Sequence, residues 1–332
     1  MKQIRHRTGA VTEMEQTTAK KNKYEIDMCN GTIMDKLISF SLPLMLSGIL
    51  QLMFNAVDII VVGRFSGSQA LAAVGSTSAL INVFTNLFIG ISLGANVLTA
   101  RFYAAGREKE VSETVHTAIT LALVSGIVMA LVGLVFSKGA LALMGTPDDV
   151  IGLSALYMRI YFLGMPFFML YNYGAAILRA VGDTKRPLLF LMIAGVINAC
   201  LNMVLVIVFK LGVAGVAIAT VISQMISCVL VLRCLCRSES SYRLRFSELG
   251  MKGYYLKQIF SVGVPAGIQS TVINFSNVLL QSSVNSFGST AMAGYTAANN
   301  LLGFLYVSVN SITQACMSFT SQNYGVGKLK RM

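Results

Sequence analysis

Charge is scarce in this chain. Only 12% of the 332 residues are Asp, Glu, Lys or Arg, against 55% hydrophobic residues and a mean hydropathy of +0.68. Too few charged groups remain to cover a globule, which excludes a water-soluble fold. Acidic residues are scarcer still, 14 against 26 basic ones. Histidine occurs only at His6 and His116, and there is no Walker loop for ATP and no pair of intramembrane carboxylates. Enzyme chemistry therefore has nothing to rest on, and no cofactor is expected. The six cysteines (Cys29, Cys200, Cys228, Cys234, Cys236, Cys316) are scattered. Cys234 and Cys236 form the one close pair, and no second pair or nearby His completes a metal or redox site. Residues 1–32 are polar and the first apolar run is too long for a cleaved signal, so the first span is expected to act as its own insertion signal.

What the chain has instead is apolar length. Eight stretches can cross a hydrocarbon core that needs about 20 helical residues: 37–62, 71–98, 114–136, 153–177, 188–209, 213–234, 258–286 and 291–319. The expected class is an all-α polytopic membrane protein of eight transmembrane helices, with the lipid bilayer as its first partner. Apart from Arg64, Lys138, Arg159 and Lys210, every Lys and Arg falls in the N-terminal segment, in the second, fourth or sixth connection, or after the eighth span. By the positive-inside rule both termini are expected in the cytoplasm, with the protein in the cell membrane. The net charge of +12 then reports topology, and no nucleic-acid partner is expected.

The chain also repeats itself. Pro43, Phe65, Ala70-Leu71-Ala72 and Tyr103 are matched by Pro265, Phe287, Ala291-Met292-Ala293 and Tyr324, at an offset of 221 to 222. Internal repeats in a membrane chain mark transporters. Six spans return the chain to its starting side before the repeat begins, so the two units run parallel. The expected organisation is a polar segment at 1–32, a six-helix N-lobe at 33–234, a basic linker at 235–257 and the first two helices of a second lobe at 258–332. A second unit matching the first would need four more helices after Met332, so the chain reads as an incomplete two-lobe protein, monomeric at full length. Thr32 and Asp35 resemble a capping box opening the first span. Residues 102–113 read as a mixed-charge segment along the interface.

Polar residues inside the spans are the candidate site. Ser47, Gln51, Asn55 and Asp58 fall on one face of the first span. Asp58 is the one acidic residue within the eight stretches, and a carboxylate there costs roughly 2.5–3.5 kcal/mol on insertion scales. Asn198 and Asn202, a turn apart on the fifth span, and Thr220 on the sixth reach a similar depth at about 1.5 Å per residue. Together they would form an oxygen-rich site for Na⁺ or a hydrogen-bonded protonation site; amides and hydroxyls that simply tie helices together are the equal alternative. The seventh span carries Asn274, Asn277, Gln281 and Asn285. With Gln51 and Asn55, the residues Asn274, Asn277 and Gln281 are candidate cavity-lining groups. The repeat aligns Asp58 with Leu280, confining ion chemistry to the first unit.

The chain resembles the multidrug and toxic compound extrusion transporters from about residue 30 onward. The resemblance is carried by Pro43, Phe54-Asn55-Ala56-Val57-Asp58, Gly63-Arg64, Ala70-Leu71-Ala72-Ala73, Leu178-Arg179-Ala180-Val181-Gly182-Asp183-Thr184-Lys185-Arg186-Pro187 and Gly215-Val216-Ala217-Ile218-Ala219-Thr220. It implies two six-helix lobes around a central cavity and export of organic cations or amphipathic compounds against H⁺ or Na⁺. It also implies a cation-coupling site at Asp58, Asn198, Asn202 and Thr220. Many relatives carry aspartate where this chain has Asn202, which weakens the case for Na⁺ and favours H⁺. A flippase for a lipid-linked saccharide, from the wider superfamily, is the alternative within transport, and an inactive fragment of an interrupted gene is the alternative outside it.

Overall fold

The computed structural model describes residues 24–285 and 289–332, and within them every long element is a helix. They are α1 (Ile33–Phe65), α2 (Ser68–Ala104), α3 (Glu108–Leu143), α4 (Asp148–Leu163), α5 (Met165–Ala180), α6 (Lys185–Met203), α7 (Gly212–Cys236), α8 (Gly253–Asn285) and α9 (Ser289–Gly325). Among the described residues, five helices are long and apolar enough to cross a membrane alone: α1, α2, α3, α6 with its extension to Val208, and α7. The pair α4–α5 makes a sixth, bent by 48°. The last two helices, 33 and 37 residues long, have the length to cross but fall outside the strictly apolar set. Their Ser, Asn and Gln content is the reason.

The fourth apolar stretch is thus broken where the sequence suggested one helix. Pro166, at the start of α5, has no N–H to give the carbonyl of Phe162, and its ring crowds that carbonyl. Gly164 sits at the break, where a Cβ would meet Val221 of α7 at 2.7 Å. Two glycines of α3 seat the broken pair. A Cβ on Gly133 would fall within 2.0 Å of the Phe162 ring, and one on Gly126 within 2.5 Å of Pro166. Phe162, Met165, Met169 and Tyr173 are in consequence fully buried against α2, α3 and α7.

One local expectation is corrected. Thr32 stands at the N-cap of α1, but its side chain makes no capping bond. Residues 102–113 are not one continuous element: α2 ends at Ala104, the chain turns at Gly106 (φ +67°) and re-enters helix at Glu108. The basic stretch after α7 is docked on the bundle. Tyr242 and Leu244 are buried in the main core, and His116 of α3 is buried beneath it. The His116 Nε2 accepts the Arg245 N–H at 3.1 Å, leaving Nδ1 to donate to the Ser112 carbonyl at 2.6 Å.

The repeat is visible in the helices themselves. Helices α1 and α8 each have 33 residues, and α2 and α9 each have 37. The first helix of each unit packs on the second helix of the other, α8 along α2 and α9 along α1. The α2–α8 crossing is the closer, because both helices carry a Gly-x-x-x-Gly pair there, Gly90 with Gly94 and Gly263 with Gly267. A Cβ on Gly90 would lie 2.2 Å from the Gly267 Cα, and one on Gly94 would lie 2.2 Å from the Ile259 carbonyl oxygen. Such small-residue pairs let helix backbones touch in a medium where apolar burial supplies no drive.

Candidate functional site

The site is built where α1 meets α6. The Phe54 ring of α1 lies on Gly195 of α6 so closely that a Cβ there would sit 1.8 Å from it. One turn further along, that approach brings the half-buried Asp58 to Asn202, whose amide Nδ2–H donates to the Asp58 carboxylate. The same Nδ2 donates to Asn198 Oδ1 at 3.1 Å. Asn198 in turn reaches α7, donating at 3.5 Å to the hydroxyl oxygens of Thr220 and Ser223. Those hydroxyls give their own protons to the Val216 and Thr220 carbonyls. A chain of polar groups therefore runs from one carboxylate through two amides to two hydroxyls, across three helices. Asn202 is fully buried and Asn198 nearly so.

Polar groups sealed in a low dielectric are costly unless paired. Most of these are paired, and one is not: Asn202 Oδ1 is buried without a hydrogen-bond partner among the described residues. It is an oxygen beside a carboxylate that the surrounding side chains leave unpaired. Immediately after Asn202 the α6 backbone widens into a π-turn, Val204–Val208, and the chain then passes through left-handed conformations at Lys210 (φ +53°) and Gly212 (φ +55°). π-turns inside helices occur frequently at functional sites, where they re-aim side chains.

All four residues singled out for cation coupling, Asp58, Asn198, Asn202 and Thr220, are thus within one connected network. The other candidates are not in it. Gln51, Asn55 and Asn277 are exposed, and Asn274 spends its amide on the Ser270 carbonyl of its own helix at 2.8 Å. The side chain of Gln281 lies outside the described ones. Three features went unread in the sequence. Ser223 lies three residues past Thr220 on the same face of α7. Tyr157 and Tyr161, stacked with centroids 6.1 Å apart on α4, lie within electrostatic reach of Asp58. Gly195, whose missing side chain admits Phe54, was the third. A two-tyrosine i,i+4 stripe level with Asp58 was the available signal. A separate cleft of about 500 Å³ at the far end of α6, lined by Phe65, Ser66, Lys210 and apolar neighbours, does not include Asp58.

A multi-pass, all-helical membrane protein with a carboxylate–amide network inside its first six spans is the class defined by this fold and site. Residues 43–204 and 265–332 match the MatE family model, and the chain belongs to that family. It is 35% identical over 302 residues to a probable multidrug resistance protein, YoeA, of Bacillus subtilis (strain 168), covering 88% of this chain and 65% of the relative. It is 24% identical over 300 residues to an FAD transporter of Shewanella oneidensis, covering 89% and 66%. The chain therefore spans about two thirds of the length of these relatives. Among solved structures, a MATE protein in its bent conformation superposes with a TM-score of 0.86 at 22% identity, covering 94% of this chain and 70% of that one. An outward-facing MATE family transporter gives the same score and identity, covering 94% and 69%.

Proposed function

We propose that this protein exports small amphipathic or cationic compounds across the cell membrane by secondary antiport, with Asp58 carrying the coupling ion. The supporting observation is the hydrogen bond from Asn202 to the Asp58 carboxylate within an otherwise sealed network. Asp58 alternates between a form that accepts from Asn202 and a form neutralised by a cation, and the two packings of α1 against α6 differ in which form they hold. An ion drives such a cycle only by binding the two states differently, and a single half-buried carboxylate gives it that opportunity. The names of relatives, which include multidrug resistance proteins and an FAD transporter, support transport of organic molecules and leave the substrate open.

The coupling ion in this reading is H⁺. One charge needs one proton, and the neighbour that would contribute a second carboxylate is the neutral Asn202. Na⁺ in the same place would draw on Asp58, the orphaned Asn202 Oδ1 and Thr220, which is a sparse shell for a cation that prefers more oxygens. The distribution of Lys and Arg supports a cytoplasmic side for residues 1–32 and 325–332 in this reading. The test is export of a fluorescent organic cation from energised vesicles. Asp58→Asn should abolish export driven by a pH gradient with Na⁺ absent, while substrate binding in detergent survives. Undiminished export by Asp58→Asn would sink the assignment, and export that runs only on a Na⁺ gradient would replace the proton by Na⁺.

A further inference from the structure

Eight residues before α1 cross the mouth between the two units at the end of the bundle that holds the described N-terminal segment and residues 325–332. On one side they bind the first six spans. The Ile26 N–H donates to the Gly182 carbonyl at 3.2 Å. The Glu25 carboxylate accepts two tyrosine hydroxyls, from Tyr103 at the end of α2 at 2.7 Å and from Tyr242 of the docked linker at 2.8 Å. The Arg186 guanidinium lies 5.0 Å over the Tyr24 ring. On the other side they bind the end of α9 and the turn that follows it. Asn323 donates to the Met28 carbonyl at 3.1 Å, Lys328 to the Cys29 carbonyl at 3.0 Å and to Asn30 Oδ1 at 2.8 Å, and Arg331 to the Gly31 carbonyl at 2.9 Å. Between the two sides the Met28 side chain is fully buried with Phe40 and Leu44 of α1 and Ala315 and Phe319 of α9.

We propose that residues 24–31 are a strap that fastens the second unit to the first at the cytoplasmic end, so that the inward-open state forms only when this strap lets go of α9. The strap rests on the transport reading above for its purpose but not for its existence. Three features favour a built device over a passive tail. Gly182 has φ +95°, and any Cβ there would lie 2.4 Å from the Ile26 carbonyl oxygen, so the backbone of the Leu178–Pro187 segment is shaped to admit the strap. Glu25 gathers two hydroxyls from different elements onto one carboxylate, each a charge-assisted bond stronger than a neutral one. Three of the four hydrogen bonds from the α9 side fall on strap backbone carbonyls, so they depend chiefly on the strap's path. Helix contacts reinforce the closure beneath it: Gln322 donates to the Ala180 carbonyl at 2.7 Å and Ser318 to Asn96 Oδ1 at 3.2 Å.

The test is the distance between spin labels on native Cys316 of α9 and on Lys109→Cys of α3, both exposed and outside the strap, in nanodiscs with the other cysteines replaced. Two variants are compared with the parent: Glu25→Ala, and Lys328→Ala with Arg331→Ala. The second removes the exposed Lys328 and the half-buried Arg331, whose guanidinium lies over the Phe319 ring at 5.7 Å, and leaves Met28, Phe40, Leu44 and Ala315 in place, so it keeps the proposal testable if the first fails to fold. Loss of the two Glu25 bonds, or of the three made by Lys328 and Arg331, should move the open-to-closed ratio roughly tenfold or more, seen as a longer distance component in either variant. A distribution in the double variant that matches the parent overturns the strap. The readout needs no transport, so Asp58→Asn can fail its own test while this one succeeds, and the reverse.

Discussion

Asn202 decides what Asp58 can do. An amide at this position donates one N–H to the carboxylate and brings no charge of its own. Asn202→Asp would set two carboxylates in hydrogen-bond contact, and such pairs either share one proton or recruit a cation. The expected outcome is a gain of Na⁺ affinity: the variant's melting temperature should rise with added NaCl over matched choline chloride, while the parent's should not. Binding at a hundred times Kd contributes about 2.7 kcal/mol, enough to read in a thermal melt. A variant as indifferent to Na⁺ as the parent would show that two carboxylates here, with Asn198 and Thr220 beside them, do not complete a cation shell. A second residue, Asp183, makes a pH prediction at the opposite end of the bundle. Its carboxyl is wholly buried, and burial pushes it up to about 6 despite the Arg186 guanidinium at 2.8 Å. The folded protein therefore holds this proton between about pH 4 and 6 while the unfolded chain has released it, and stability falls as pH rises through that window, by about 3 kcal/mol in all. Asp183→Asn should melt with a flatter pH dependence between 4 and 6.5; an unchanged slope would assign the titration elsewhere.

The helices divide into what sequence can reveal and what it cannot. Positions 58, 198, 202 and 220 were grouped by depth and helical face, and the structure joins them because rise per residue and side-chain direction are properties of the helix alone. Gln51 and Asn55 share the face of Asp58 by the same arithmetic yet fall outside the network. Membership is set by where α6 touches α1, and that depends on a missing Cβ at Gly195. The break between α4 and α5 was likewise hidden, since an apolar run reads the same whether straight or bent by 48°. Pro166 was the available sign, but membrane helices often accommodate proline, and the decisive partners, Gly126 and Gly133, lie on another helix. The docking of the linker was hidden for a related reason. Its positive charges dominate the composition, while Tyr242 and Leu244, which hold it in place, are two residues among many.

At the scale of the molecule, the repeat in the sequence becomes a crossed arrangement in which each unit's first helix lies on the other's second. The symmetry is not complete. Helices α2 and α8 meet through Gly90, Gly94, Gly263 and Gly267 with backbones in contact, whereas at α1–α9 the positions matching Gly90 and Gly94 are Ser311 and Ala315, and the fit is made by side chains such as Phe40, Leu44 and Phe319. A backbone contact cannot yield by changing rotamers, so α2–α8 should serve as the fixed axle and α1–α9, with its strap, as the part that parts. Two glycine substitutions on the same helix separate this from general helix propensity. A Cβ on Gly75 meets nothing within 4 Å, so Gly75→Ala should stabilise by about 1 kcal/mol through propensity alone. Gly90→Ala gains the same propensity but drives a methyl into Gly267, and overpacking of this kind costs typically 1–3 kcal/mol. Melting temperatures should therefore move in opposite directions, and the spin-label distance between Cys316 and position 109 should broaden only in Gly90→Ala. If both alanines raise the melting temperature, the two helices can separate at no cost, and the axle must be sought in α1–α9 instead.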